Sequence, residues 1–158
     1  MPTVGLEKVP SGVHIFTMAS DEKYILDICD RLLGMTAQRQ HRFDFLKGLP
    51  SLKTGKVARL PVDAFYPAKN LVIEYHERQH TEVVAFFNRR ITACGLKRGE
   101  QRTLYDKLRI DLLPANGFQL LILDYTRFDV DPNGRIRRGR DEEDRLRAAL
   151  AGYLSPTP

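Results

Sequence analysis

Residues 58–75 carry the pattern that most restricts the fold. Two runs of strand character, ARLPVDAFY at 58–66 and LVIEY at 71–75, are separated only by Pro67-Ala68-Lys69-Asn70. A connection this short joins antiparallel neighbours, because a parallel return needs a dozen residues or more. It also fixes the register: Tyr66 faces Leu71, Phe65 faces Val72, Ala64 faces Ile73 and Asp63 faces Glu74.

That register sets two carboxylates directly opposite each other, with Cβ atoms about 5 Å apart. Like charges so placed destabilise a sheet. A divalent cation between them reverses the sign, and Mg²⁺ is typically held by one or two carboxylates together with phosphate oxygens. His76 shares the strand face of Glu74, whereas Leu71, Ile73 and Tyr75 point to the other side. Most neighbours of the two acids are apolar, which argues against a solvated face. The other reading of the same residues is a frayed hairpin edge at which each acid meets a nearby Lys or Arg.

Around this hairpin the chain alternates helix and strand without repeats. Ser20 is placed to cap a helix over 21–34, with Ile25, Ile28, Cys29 and Leu32 on one face and Gly34 as its stop. A strand is expected from Arg39 to Leu46, and another from Val13 to Met18. A helix begins at about Thr81, with Val83, Val84, Phe87 and Ile91 sharing a face. A second helix spans 100–114, with Leu104, Leu108 and Leu112 buried. Gly117 precedes an apolar strand, FQLLILDY, expected in the middle of the sheet. A last helix covers 141–152, with Asp141 as cap and Asp144 in its first turn. The expectation is an α/β protein: one domain over 1–158, a mixed sheet of four to five strands flanked by helices. Its core spans about 20–125, with a basic loop and C-terminal helix at 126–158.

Lys and Arg number 25 against 20 Asp and Glu, a formal charge of +5 and a pI near 9.4. That excess suits a nucleic-acid partner, through counterion release from phosphates. Apolar runs such as Leu120–Leu123 and Val83–Phe87 fall far short of the roughly 20 residues a membrane span needs. The opening MPTVGLEKVPSG lacks the charged-then-apolar order of a secretory signal, so a cytoplasmic location is expected. Cys29 and Cys94 lie on separate elements with no CxxC pair and read as reduced structural thiols.

The acidic hairpin resembles the PD-(D/E)XK, or restriction-endonuclease-like, superfamily, whose two acids sit on successive strands. Pro61-Val62-Asp63 takes the first position in a loosened form. Glu74-Tyr75-His76 takes the second, with His76 where the family usually has Lys. The fuller string, Asp63-Ala-Phe-Tyr-Pro with Glu74-Tyr75 and Gln79-His80, is similar to the branch of very-short-patch-repair and related nicking or homing endonucleases. Those proteins often read D-x-x-x-P … E-Y-D-G-x-Q-H, from which this sequence departs at His76 and Glu77. Tyr105-Asp106 on a helix, followed by Leu-Pro-Ala-Asn-Gly and an apolar strand, is similar to the family's "RD … L … G" unit. The resemblance covers roughly residues 20–125 and implies an αβββαβ core.

It also implies a metal-dependent endonuclease that hydrolyses phosphodiester bonds, in DNA, with Mg²⁺ or Mn²⁺. Asp63, Glu74 and the Tyr75 carbonyl would hold the metal. His80 would accept the proton from the attacking water, a task suited to a side chain whose ordinary pKa is near neutral. Asp106 would orient that imidazole, Gln79 would contact the phosphate or the water, and Glu22, in line with the inward stripe of its helix, would join the site. Each has a plainer reading: His80 as a helix N-terminal residue, Asp106 as an ion-pair partner of Arg102 and Arg109, Glu22 as a first-turn acid favouring the helix dipole. Lys97, Arg98, Arg102, Arg109, Arg137 and Arg138, within a basic run from Arg135 to Arg140, are candidates to track a phosphate backbone. No zinc-finger or helix-turn-helix signature is present, so specificity would come from a second copy in a homodimer or from a partner protein.

Two other classes compete. His76-Glu77-Arg78-Gln79-His80 matches H-E-x-x-H, the zinc metallopeptidase motif, with Glu100 as a third ligand. It requires both histidines on one helix, yet the apolar, β-branched run before His76 makes that residue a strand end. A non-catalytic nucleic-acid-binding module would keep the basic patches but has no need for paired acids.

Overall fold

The computed structural model describes residues 18–78 and 89–154. The expected helix from Thr81 to Phe87, the residues Gln79 and His80, and all but Met18 of the expected strand at 13–18 lie outside them. Met18 itself belongs to no element and is exposed.

Helix α1 runs Asp21–Leu33. The Ser20 side chain accepts the Lys23 N–H at 3.2 Å, and Asp21 and Glu22 occupy the first turn. Gly34 ends the helix in left-handed backbone (φ 66°), while Met35 N–H returns to the Asp30 carbonyl. Ile25, Leu26, Ile28, Cys29 and Leu33 are buried, and Leu32 is only partly so.

Four strands form one sheet in the order β1 (Gln38–Lys47), β2 (Arg59–Tyr66), β3 (Leu71–His76), β4 (Gln119–Asp124). The first three are antiparallel neighbours, and β4 runs parallel to β3. The β2–β3 register is the expected one: Ala64 opposite Ile73, Phe65 opposite Val72, Tyr66 opposite Leu71. Pro67–Lys69 makes a single 3₁₀ turn, and Asn70, at φ 51°, reverses the chain. Among the described residues β4 pairs only with β3, so it is an edge strand, not the central one expected. Its apolar run has another cause: Leu121 and Leu123 pack toward α1 on one face, and Leu120 packs with the opposite helix on the other.

That opposite helix, α2 (Arg98–Ala115), covers the second face of the sheet. Its one fully buried residue is Leu113, with Tyr105, Leu108 and Leu112 partly buried around it. Leu104, expected in the buried stripe, packs in neither core cluster; the helix is rotated so that the row through Tyr105 and Arg109 meets the sheet. Ile91, expected on a buried helix face, is 61% exposed and pairs with Lys97 in an isolated bridge. Helix α3 (Glu142–Ala149) lies against α1, and Leu146 and Leu150 are fully buried in the same cluster as Ile25 and Leu26. Asp141 precedes it but makes no capping bond; its carboxylate pairs with Arg145 at 2.7 Å. Beyond α3 the expected helix tightens into a 3₁₀ turn at Ala151–Tyr153.

The result is a three-layer α/β arrangement: α1 and α3, a mixed four-stranded sheet, and α2. No described helix is long and apolar enough to cross a membrane. Cys29 is buried and Cys94 partly buried, and both thiols are free. Burial in the α1 core pushes the Cys29 thiol up to about 12.

Candidate active site

The two acids sit where the hairpin ladder gives way. Past Ala64 and Ile73, side chains take over the pairing: Asp63 N–H donates to Glu74 Oε1 at 3.0 Å, and Tyr75 N–H donates to Asp63 Oδ2 at 2.8 Å. Each carboxylate therefore satisfies the other strand's backbone. This arrangement offsets part of the like-charge cost of facing acids, since a backbone N–H favours the ionised form it bonds. A bound cation is thus not the only way for this chain to carry the pair.

A change in strand facing accompanies the site. On β2, Leu60 and Val62 pack toward α2, but Ala64 and Tyr66 pack toward α1. On β1, Arg39 bonds to Asp27 and Asp30 of α1, whereas His41 lies against Phe43 and Phe65 on the α2 side. Both strands thus switch face at one level. At that level Gln40, with φ 51°, stands opposite Asp63, because its neighbours Arg39 and His41 pair with Ala64 and Val62. The Gln40 side chain lies close enough to Asp63 to lower its carboxyl.

The cation nearest the pair is Arg109 of α2. Its Nε and Nη2 donate to the Pro61 carbonyl at 3.1 and 3.0 Å, Nη1 reaches Asp106 Oδ1 at 3.2 Å, and Nε lies 3.7 Å from Glu74 Oε2. Even so, burial pushes both acids up. Glu74, 5% exposed, rises to about 8, first from burial and then from Asp63, against the pull of Arg109. Asp63 is raised by burial against the Tyr75 N–H, Arg109, His76 and Gln40. Glu22, from the first turn of α1, is raised by burial, then by Asp63 and Glu77, with Arg39 opposing. The site holds more negative charge than its own cations neutralise.

These groups line one open cleft of about 650 Å³. The structure brings to it Asp63, Glu74, Tyr75, His76, Asp106 and Glu22 from the sequence candidates, together with Arg102 and Arg109. Glu77 and Arg78, named in the sequence only as part of the zinc motif, and Asp124, not singled out there, complete it. Asp124 had a readable signal: it is an acid ending an apolar strand parallel to β3, level with His76. Burial lifts the Asp124 carboxyl, but Thr126, through its hydroxyl and amide, His76 and Arg127 bring it below the usual range. Gln40 had no signal, because its left-handed backbone follows from no local motif.

The basic candidates divide. Arg102 lines the cleft, and Lys97 and Arg98 are exposed at the start of α2. Asp106 does pair with Arg109, as the plainer reading had it, while also facing the cleft. Arg137 pairs with Asp129 at 3.8 Å. Arg138 bonds to Asp21 and the Ala19 carbonyl and lies over the Tyr24 ring, so it joins the C-terminal loop to α1.

For a metal, the donors are hard oxygens. Among the described residues no group of three or more His, Cys, Asp or Glu forms a ligand cluster. Two carboxylates raised by burial, each with one oxygen bound to backbone, suit Mg²⁺ or Mn²⁺ held partly by carboxylates and partly by other oxygens. The zinc motif fares worse. His76 is the last residue of β3, and Glu77 and Arg78 are not helical, so the helix that H-E-x-x-H needs does not include its first three residues. No protein-family model matches the chain, and no curated protein or solved structure matches it.

Proposed function

We propose that this protein is a divalent-metal-dependent nuclease, hydrolysing phosphodiester bonds in DNA from a restriction-endonuclease-like site. One observation carries the reading: Asp63 and Glu74 are interlocked across β2 and β3, raised by burial, and open to a cleft lined by Arg102 and Arg109. When bound, the cation supplies electrophilic polarisation of a phosphate oxygen and charge neutralisation at the phosphorus.

Asp63, Glu74 and the Tyr75 carbonyl would hold it. The Tyr75 and Asp63 amides fix both carboxylates before substrate arrives, so little reorganisation accompanies the reaction. Arg109, anchored on Pro61 and Asp106, keeps positive charge beside Glu74. Arg102 meets the phosphate backbone at the cleft mouth. Glu22, its carboxyl raised, is placed to hold a proton released by the attacking water. His80 and Gln79 of the sequence reading lie outside the described residues.

The test is cleavage of supercoiled plasmid with Mg²⁺ or Mn²⁺, comparing wild type with Asp63→Asn. The substitution keeps the shape and is expected to reduce cleavage about a hundredfold or more. If wild type cuts neither duplex nor single strands with either metal, or if Asp63→Asn cuts as fast, the proposal is overturned.

A further inference from the structure

We infer that the β1–β2 loop, together with the segment leading into α2, forms the surface that grips duplex DNA; this rests on the nuclease reading for its partner, but not for its charge. Residues 45–62 and 89–99 contain eight basic residues and no acid. The structure joins these two stretches. Leu52 N–H donates to the Ala93 carbonyl at 2.8 Å, and a Cβ on Gly95 would lie 2.7 Å from the Leu52 side chain. On the other side, Leu49 N–H donates to the Tyr105 hydroxyl of α2 at 3.1 Å.

Apart from Arg59, which pairs with Asp44 at 2.7 Å, the charges here differ from those of the C-terminal run. Arg137, Arg138 and Arg140 each face an acid of the fold. Lys47, Lys53, Lys56, Arg90, Lys97 and Arg98 are exposed, and none forms an ion pair among the described residues. A cation already paired gives up part of what a phosphate would offer; an unpaired one gains it in full by releasing condensed counterions. Four large apolar side chains are also exposed on these stretches: Leu49, Leu52, Val57 and Ile91. A surface both basic and apolar suits phosphates flanked by the sugar walls of a groove.

Helix α2 connects this surface to the cleft. Arg98, Arg102, Asp106 and Arg109 follow one another at spacings of one turn, and the last three line the cleft. From Arg98 to Arg109 the helix rises about 16 Å, close to five steps of a duplex strand. DNA lying along α2 would therefore reach the acidic pair while its flank rests on the loop.

Binding of a fluorescent 20-base-pair duplex in EDTA separates this inference from cleavage. Lys53→Gln/Lys56→Gln is expected to flatten the dependence of log affinity on log salt by about 2, near 0.9 per phosphate contact. Lys23→Gln/Arg147→Gln removes the same charge from α1 and α3 and is expected to leave the slope as it is. Equal slopes for the two double variants would overturn the inference. So would anionic phospholipid vesicles binding with the Lys53/Lys56 dependence while duplex shows none. If duplex binding follows the lysines yet Asp63→Asn cuts like wild type, the nuclease reading fails and the surface stands.

Discussion

Gln40 faces Asp63 across the β1–β2 pair from a left-handed backbone, φ 51°, and its side chain lowers the Asp63 carboxyl. Such a conformation costs a non-glycine residue about 1–2 kcal/mol. Here it occurs where both strands switch facing, which carries Asp63 into the cleft. The Gln40 side-chain amide favours the ionised carboxylate, so removing it raises Asp63 further. Gln40→Ala should therefore move the acid limb of the cleavage–pH profile to higher pH, while Gln40→Asn, more tolerant of this backbone, should keep the fold. An acid limb identical to wild type in Gln40→Ala would show that the contact does not act on Asp63.

Glu74 links the site to stability. Its carboxyl stands near 8 in the folded protein against 4.5 for a free glutamate. A folded pKa above the unfolded one means the native state binds the proton more tightly. The contribution is complete below the unfolded value and is lost as pH rises through the folded one. The metal-free protein should thus lose stability between pH 4.5 and about 8. Glu74→Gln should flatten that decline and melt above wild type at pH 8, by about 4 °C for each kcal/mol. Mg²⁺ should raise the wild-type melting temperature more at pH 8 than at pH 6, and do so little in the variant. Parallel melting curves for the two proteins across this range would contradict the assignment.

Much of this site was readable because a four-residue connection leaves a hairpin little freedom. The Asp63–Glu74 opposition follows from counting back from Tyr66 and Leu71, and residues 71–75 are apolar and β-branched enough to show His76 as a strand end. What failed has physical causes. β4 reads as central because both of its faces are covered by helices, and an apolar run reports covered faces, not the number of strand neighbours. Leu104 and Leu113 are equally apolar, and the second is buried in the face that also packs Tyr105, Leu108 and Leu112 on the sheet and docks Arg109 on the Pro61 carbonyl. The reciprocal amide–carboxylate bonds were hidden because they need the ladder to end at Ala64.

Arg109 joins α2 to the kinked strand and sets the charge beside Glu74, with its side chain only 15% exposed. Lysine cannot reproduce a fork that reaches Pro61 and Asp106 together. Arg109→Met should leave Glu74 without its nearest cation, raising its carboxyl further. The cost should be about 2–3 kcal/mol at pH 8, and less at pH 6, where Glu74 avoids the unpaired charge by holding its proton. Urea unfolding at the two pH values measures the difference; equal losses would mean that Arg109 acts by packing alone.

Asp30 holds α1 against the sheet from a point remote from the cleft, and so tests whether α1 must be placed for Glu22 to act. Its Oδ1 accepts from Tyr66 Oη at 2.7 Å and from the Ala37 N–H at 3.1 Å, while Oδ2 meets Arg39 Nη2 at 2.8 Å. Tyr66 is fully buried, so Tyr66→Phe removes one bond and should cost about 1 kcal/mol. Asp30→Ala leaves that hydroxyl orphaned and strips Arg39 of a partner, when its Nη1 is already without one. Its cost should be near 3 kcal/mol. Because the two share one bond, the double variant should be less destabilised than the sum of the singles by about 0.5–2 kcal/mol. Of the two single variants, only Asp30→Ala loosens α1, two turns beyond Glu22, so it alone should lower the cleavage rate at a temperature where both remain folded. Full activity in a folded Asp30→Ala would show that Glu22 works without this anchor, or not at all.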